Sequence, residues 1–141
     1  MKFWDTSALV PLVVEEPASA AIAELAAEDW DIVVWMFTAV ELLSAVARLG
    51  RTAHGLEDLA AALRQDALAH ARRWHQITDV DGVRRRAERL VGVHPISAAD
   101  AQQLGAALVA CSDRPETLDF LTLDRVLARS AQLEGFRVVM P

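Results

Sequence analysis

Residues 2–9 read KFWDTSAL: a short strand-like run, KFW, then Asp5, then a hydroxyl residue, Ser7, opening a helix. Asp5 therefore stands at a strand-to-helix junction. Three further acids stand where helices begin: Glu41 in FTAVEL, Asp100 in PISAADAQQL and Asp124 in FLTLDRVL. Asp100 and Asp124 follow the apolar runs HPI and FLTL, and Glu41 comes six residues after IVVW. In a parallel α/β sheet every strand-to-helix junction lies on one edge. Carboxylates 36, 59 and 24 residues apart along the chain can then meet in one cleft. Such a cleft is a hard-oxygen site for a divalent cation and points to phosphodiester chemistry.

Hydrophobic periodicity extends this reading along the chain. KFWD, DIVVW, HPI, DFLTL and RVVM read as strands. ALVPLVV reads as a short helix that Pro11 permits only near its first turn. ASAAIAELAAEDW is amphipathic, with Ile22, Leu25, Ala26 and Trp30 on one face. TAVELLSAVARLG ends at Gly50, LEDLAAALRQDALAHARRWHQI is a longer helix, and DVDGVRRRAERLVG ends at Gly92. SAADAQQLGAALVACS and DRVLARSAQLEG complete the helices, and the stretch 50–56 is the one loose turn. The order is β-α-α-β-α-α-α-β-α-β-α-β. Uniformly apolar strands alternating with helices predict a three-layer α/β/α domain whose parallel sheet has about five strands. At 141 residues the chain is read as a single domain, residues 1–141.

Composition narrows the function classes. Apolar residues make up 53% and charged residues 24%, an ordinary globular balance. The runs ALVPLVV and IVVWMFTAV are far shorter than the roughly 20 residues of a membrane span. No signal peptide is read at the N-terminus, and Cys111 is the sole cysteine. No internal disulfide is expected, and a reducing cytoplasm is. The net charge of −6 argues against a nucleic-acid partner until its distribution is seen. Residues 1–47 carry one Lys and eight acids, whereas residues 48–89 carry nine Arg and six acids. Arg84, Arg85, Arg86 and Arg89 form a cluster that reads either as a solvated helix face or as RNA phosphate contacts.

Each acid also has a local reading. Thr38–Glu41 and Ser97–Asp100 fit capping boxes, Asp124 fits a helix N-cap, and Asp5 fits an Asx-turn into Ser7. A capping acid belongs in solvent, however, and Asp5 follows a strand at the sheet edge. Three such junctions in one small domain favour a shared site. Asp119 precedes FLTL and belongs at the opposite end of the sheet.

The four segments also resemble a known family. Asp5-Thr6-Ser7-Ala8-Leu9 resembles the opening motif of PIN domains, and Thr38-Ala-Val-Glu41-Leu42 their second acidic position. Ser97-Ala-Ala-Asp100-Ala-Gln-Gln-Leu-Gly-Ala-Ala-Leu resembles the helix bearing their third acid, with Gly105 where Ala is usual. Phe120-Leu-Thr122-Leu-Asp124-Arg-Val-Leu-Ala resembles their closing motif. The match runs in order across nearly the whole chain, at the length of the VapC-type toxins of toxin–antitoxin pairs. The resemblance implies a five-stranded parallel sheet, an endoribonuclease dependent on Mg²⁺ or Mn²⁺, and a homodimer restrained by a VapB-type antitoxin. It implies catalytic and metal-binding roles for Asp5, Glu41, Asp100 and Asp124. Thr6, Ser7 and Thr122 become hydroxyls that orient carboxylates or water.

The chemistry agrees with that set. Four ionised carboxylates in one cleft raise one another's pKa values, and a cation removes the conflict. His54, His70, His75 and His94 lie in no acid-spaced motif and read as helix-surface or loop residues. Trp4, Trp30, Trp35 and Trp74 read as core, with base stacking an alternative for Trp74. A haloacid-dehalogenase-type phosphatase or a receiver domain fails, because residue 7 is Ser rather than a second Asp and the sole Lys is Lys2. Two alternatives stay open: a non-catalytic PIN-fold binding module, and a PIN nuclease of RNA processing outside a toxin–antitoxin pair.

Overall fold

Successive strand residues point into two different cores. Phe3, Val33, Trp35 and Phe120 pack with Val83, Leu90, Leu104 and Leu127. Their neighbours Trp4, Val34 and Leu121 pack with Leu9, Ile22, Leu42, Ala67 and Trp74 on the opposite face. This period of two is that of a strand buried on both sides. The protein is described by a computed structural model that covers residues 1–29, 31–52 and 57–141, without the side chain of Thr52. The expectations for Trp30, His54 and Leu56 lie outside the described residues.

The strands are β1 (Lys2–Trp4), β2 (Ile32–Trp35), β3 (His75–Ile77), β4 (Asp119–Leu121) and β5 (Arg137–Val139). They form one sheet in the order β3-β2-β1-β4-β5, with every pairing parallel. Four of the five strands have only three residues, so ladder hydrogen bonds, worth about 1 kcal/mol net each, hold them weakly. Burial decides instead: Phe3, Trp4, Trp35 and Phe120 are each at most 2% exposed, at roughly 1.5–3 kcal/mol per large side chain. Phe3 and Phe120 stack across the β1–β4 pairing with centroids 5.5 Å apart.

Helices α1 (Thr6–Leu9), α2 (Ser19–Glu28), α3 (Thr38–Thr52) and α4 (Glu57–Ala71) supply the Trp4 side. Helices α5 (Val80–Val93), α6 (Ala98–Ala110) and α7 (Arg125–Leu133) supply the Phe3 side. The three-layer parallel architecture is as the sequence predicts. β1 lies between β2 and β4, so strand order reverses beside it. The crevice above the carboxyl ends of β1 and β4 is the topological switch point, where sites form in open parallel sheets.

Two strand assignments are corrected. HPI is not a strand: His94 is the extended C-cap of α5, and the segment connects α5 to α6. The third strand is instead HQI, read from sequence as the end of α4. The helix stops at Ala71, and His75–Ile77 pairs with Val33–Trp35. This edge strand exposes His75 and Gln76, so it carries no apolar signature. Smaller shifts follow local chemistry. Pro11 begins a 3-10 turn, Val10–Leu12, rather than continuing α1. Gly50 and Gly92 lie inside α3 and α5 rather than ending them. Among the described residues no helix is long and apolar enough to cross a membrane.

Candidate metal centre

Asp5 leaves β1 with extended backbone, and its N–H donates to the Leu121 carbonyl of β4 at 2.9 Å. Only 4% of the residue is exposed, unlike an ordinary helix cap. Its Oδ2 accepts from the Ser7 N–H at 3.1 Å, the Ser7 hydroxyl at 2.5 Å and the Thr122 hydroxyl at 3.0 Å. Those hydroxyls in turn accept from the β4–α7 turn. Leu123 N–H donates to Ser7 Oγ at 2.9 Å, and Asp124 N–H donates to Thr122 Oγ1 at 3.0 Å. Ser7 and Thr122 each have one hydrogen, and both spend it on Asp5. Two of the three hydroxyl residues named from sequence therefore tie the ends of β1 and β4 around one carboxylate.

Thr6 serves a different acid. Its hydroxyl donates to Glu41 Oε2 at 2.6 Å. The Thr38–Glu41 capping box, the local alternative read from sequence, does not form among the described residues. Thr38 Oγ1 instead meets the side-chain amide of Gln103, and the Glu41 N–H bonds to the Phe37 carbonyl. Gln103 is 1% exposed. Its Nε2 lies 2.9 Å from Thr6 Oγ1, 3.0 Å from Thr38 Oγ1 and 3.1 Å from Glu41 Oε2. Sequence reading missed this residue. Its signal was a polar side chain one helical turn after Asp100, in a helix otherwise apolar on that face.

Asp100 and Asp124 also cap their helices, as Asp5 caps α1 through the Ser7 N–H in the turn read from sequence. Asp100 completes a capping box with Ser97, accepting the Ser97 N–H at 3.1 Å and its hydroxyl at 2.7 Å, both on Oδ2. Asp124 Oδ1 accepts the N–H groups of Val126 and Leu127 at 2.7 and 2.8 Å. Thus on each of the four carboxylates, among the described residues, the hydrogen bonds gather on one oxygen.

Electrostatics link three of the four. Burial pushes the Asp5 carboxyl above its ordinary value, against the lowering effect of its Ser7 and Thr122 bonds, and the charge of Asp100 adds to the rise. Glu41 is raised chiefly by burial too, with Asp5 and Asp100 both contributing. Thr6, Ser7, Val40, Glu41, Arg48 and Asp124 line a cleft of about 820 Å³ beside this group. Arg48, two turns along α3 from Glu41, was not singled out from sequence as a cleft residue. A second cavity of about 360 Å³, lined by Trp35, Phe37, Val80 and Val91 among others, contains none of the four acids.

The donor set fits a divalent cation in chemistry: hard oxygens, partly desolvated, whose mutual repulsion a cation relieves. Among the described residues no three acidic, histidine or cysteine side chains converge closely enough to hold one as they stand. Asp5, Glu41 and Asp100, the electrostatically linked three, are the residues that would hold it.

The remaining candidates lie elsewhere. Arg84 pairs with Asp81 and Glu88, Arg86 with Asp113, and Arg89 with Glu134. Arg85 is exposed and among the described residues forms no ion pair. His94 is not a free surface residue: its side chain is 7% exposed and lies 2.7 Å from Glu134. Trp4, Trp35 and Trp74 are buried, which takes Trp74 out of reach of a base. Asp119 lies at the far end of β4, ion-paired with Arg137.

Parallel sheet, switch-point cleft and acidic edge together define a three-layer α/β/α fold of the PIN type. Over its full length this chain superposes on solved structures of that architecture. It matches 98% of a chain of a toxin–antitoxin complex from Klebsiella pneumoniae, with a TM-score of 0.69 and 17% identity. It matches 98% of a chain of FitAcB from Neisseria gonorrhoeae, with a TM-score of 0.68 and 21% identity. No family model and no curated protein sequence matches the chain. At these identities the likeness is one of fold.

Proposed function

We propose that this chain is a metal-dependent endoribonuclease, the toxin of a toxin–antitoxin pair, which hydrolyses RNA phosphodiesters at the acidic cleft. The observation that carries the proposal is the buried Asp5 carboxylate at the switch point, raised in pKa together with Glu41 and coupled to Asp100. A fold held by caps alone has no need of two acids whose ionisation is opposed by burial and, in smaller part, by neighbouring carboxylates. Bound Mg²⁺ or Mn²⁺ supplies charge to an anionic phosphodiester and lowers the pKa of a bound water. The chain's own groups do the rest. Ser7 and Thr122 hold Asp5, Thr6 holds Glu41, and the cleft admits a strand of RNA. The toxin assignment draws on the fold likeness to chains of toxin–antitoxin complexes. It carries with it a VapB-type antitoxin and a homodimer, which sedimentation at tens of micromolar would detect. The exposed Val40 of α3 and the exposed alanines of α2 are surface for such contacts.

The test is cleavage of a model RNA with Mg²⁺ or Mn²⁺ and again after EDTA. Cleavage is expected only with metal, with Asp5→Asn and Asp100→Asn near background. Full-rate cleavage after EDTA dialysis would sink the proposal. One observation favours a second reading, a non-catalytic binding module: Asp100 and Asp124 are both engaged as caps, and among the described residues no three acids converge. A wild-type chain that binds Mn²⁺ poorly and cuts no RNA in either metal supports that reading. A nuclease outside a toxin–antitoxin pair would instead cut RNA and have no small antitoxin reading frame beside its gene.

A further inference from the structure

We infer that Gln103 is a positioning residue of the acidic site, whose amide fixes Glu41 relative to Asp5 and Asp100 and so sets the affinity for the cation. The inference rests on the metal-site reading above. Burying an amide is costly unless its bonds are made, and Gln103 sits on a helix whose neighbouring residues Ala101, Leu104, Ala106, Ala107 and Leu108 are all buried and apolar. A methionine of similar size avoids that cost, so packing alone does not explain an amide here.

Its bonds do explain it. One Nε2 meets three side chains on two elements: Thr6 at the start of α1, and Thr38 and Glu41 on α3. Two hydrogens serve three acceptors, so one bond is shared. By donating to Thr6 Oγ1, Gln103 occupies a lone pair of that oxygen and turns the Thr6 hydrogen toward Glu41 Oε2. The amide thus gives Glu41 one donor directly and orients another. Its own orientation is determined as well. A flipped amide would set Oε1 against the Glu41 carboxylate, while the present one lets Thr38 donate to Oε1 at 3.3 Å. Asp100 and Gln103 are one turn apart on α6, so a single helix places one carboxylate and steers another.

The experiment titrates Mn²⁺ by electron paramagnetic resonance on four folded proteins: wild type, Gln103→Met, Glu41→Gln and the double variant, with melting curves to confirm folding. Gln103→Met is expected to weaken Mn²⁺ binding about tenfold, within the range for partners of metal ligands. In the Glu41→Gln background it should have no further effect, because it acts through Glu41. Gln103→Asn is shorter by one methylene and keeps the amide. It should show the same loss, since the amide no longer reaches Glu41, and it serves where the methionine variant does not fold. Wild-type affinity in Gln103→Met or Gln103→Asn, or losses that multiply in the double variant, overturn the inference alone. A wild-type protein that binds no Mn²⁺ overturns the metal-site reading and this inference with it.

Discussion

The acids of the cleft and the acids beside α5 are the same residue types in opposite circumstances. Asp113 and Glu134 face Arg86 and Arg89, and those guanidiniums hold both carboxyls below their ordinary values. Asp5 and Glu41 are held by hydroxyls and an amide, and burial drives both upward. Ion pairing on the flank favours the folded ionised state. In the cleft, the donors to Asp5 and Glu41 among the described residues are neutral. The contrast separates acids that support the fold from acids the fold tolerates, and the tolerated ones are those of the proposed site.

The contrast breaks most visibly in activity. Asp5→Asn and Asp100→Asn are each expected to lower RNA cleavage by about a hundredfold or more, beyond the loss typical of residues that merely orient ligands. Asp113→Asn should leave the rate unchanged. Equal losses in the two regions, read as initial rates on one RNA, would erase the distinction.

Stability without metal should move next. A raised folded-state pKa means that the stability tied to Asp5 is present below the ordinary carboxylate range and lost as pH rises through the folded value. Asp5→Asn therefore melts as high as wild type or higher near neutrality, by up to about 1–2 kcal/mol, and its advantage shrinks in acid. Wild type alone gains on adding millimolar Mg²⁺. A variant that melts several degrees lower, shows no metal shift and still cuts RNA would make Asp5 structural.

The flank should show the opposite sign with a smaller size. Glu134 has a lowered pKa, so its contribution is present above the ordinary carboxylate range and lost as pH falls through the folded value. Glu134→Gln is expected to lose up to about 1 kcal/mol near neutrality, the scale of a partly exposed ion pair. Its melting curve should converge on wild type in acid, and a gap that widens there would refute the pairing account.

The smallest effect concerns RNA affinity. Changing Arg84, Arg85, Arg86 and Arg89 together to Gln should flatten the salt dependence of RNA binding. Three of them are already committed to acids, so the slope should change by about one phosphate contact, roughly 0.7 for a single strand. Arg85→Gln alone should reproduce most of it. An unchanged slope in filter binding would make α5 a solvated face.

Much of the fold was legible because its central strands β1, β2 and β4 are buried on both faces and read as apolar runs. HQI was hidden because an edge strand beside exposed solvent needs few apolar residues, so its polar sequence merged with the helix before it. HPI misled in the other direction: proline holds extended backbone that pairs with nothing. The four acids were legible as junction residues. Which oxygen each uses was not, since that depends on Ser7, Thr122 and Thr6 reaching across elements. Gln103 stayed hidden because the sequence does not tell it from its neighbour Gln102, and its partners are 62 to 97 residues away.

Gly105, where the PIN-like motif usually has Ala, has a mechanical consequence. A β-carbon there would stand 3.0 Å from the Val83 carbonyl oxygen of α5 and 3.4 Å from the Ala87 nitrogen. The two backbones touch with no side chain between them to act as a cushion. Interiors this dense transmit displacement instead of absorbing it. A displacement of α5 toward the core therefore meets the backbone of α6 directly, and α6 is the helix that carries Asp100.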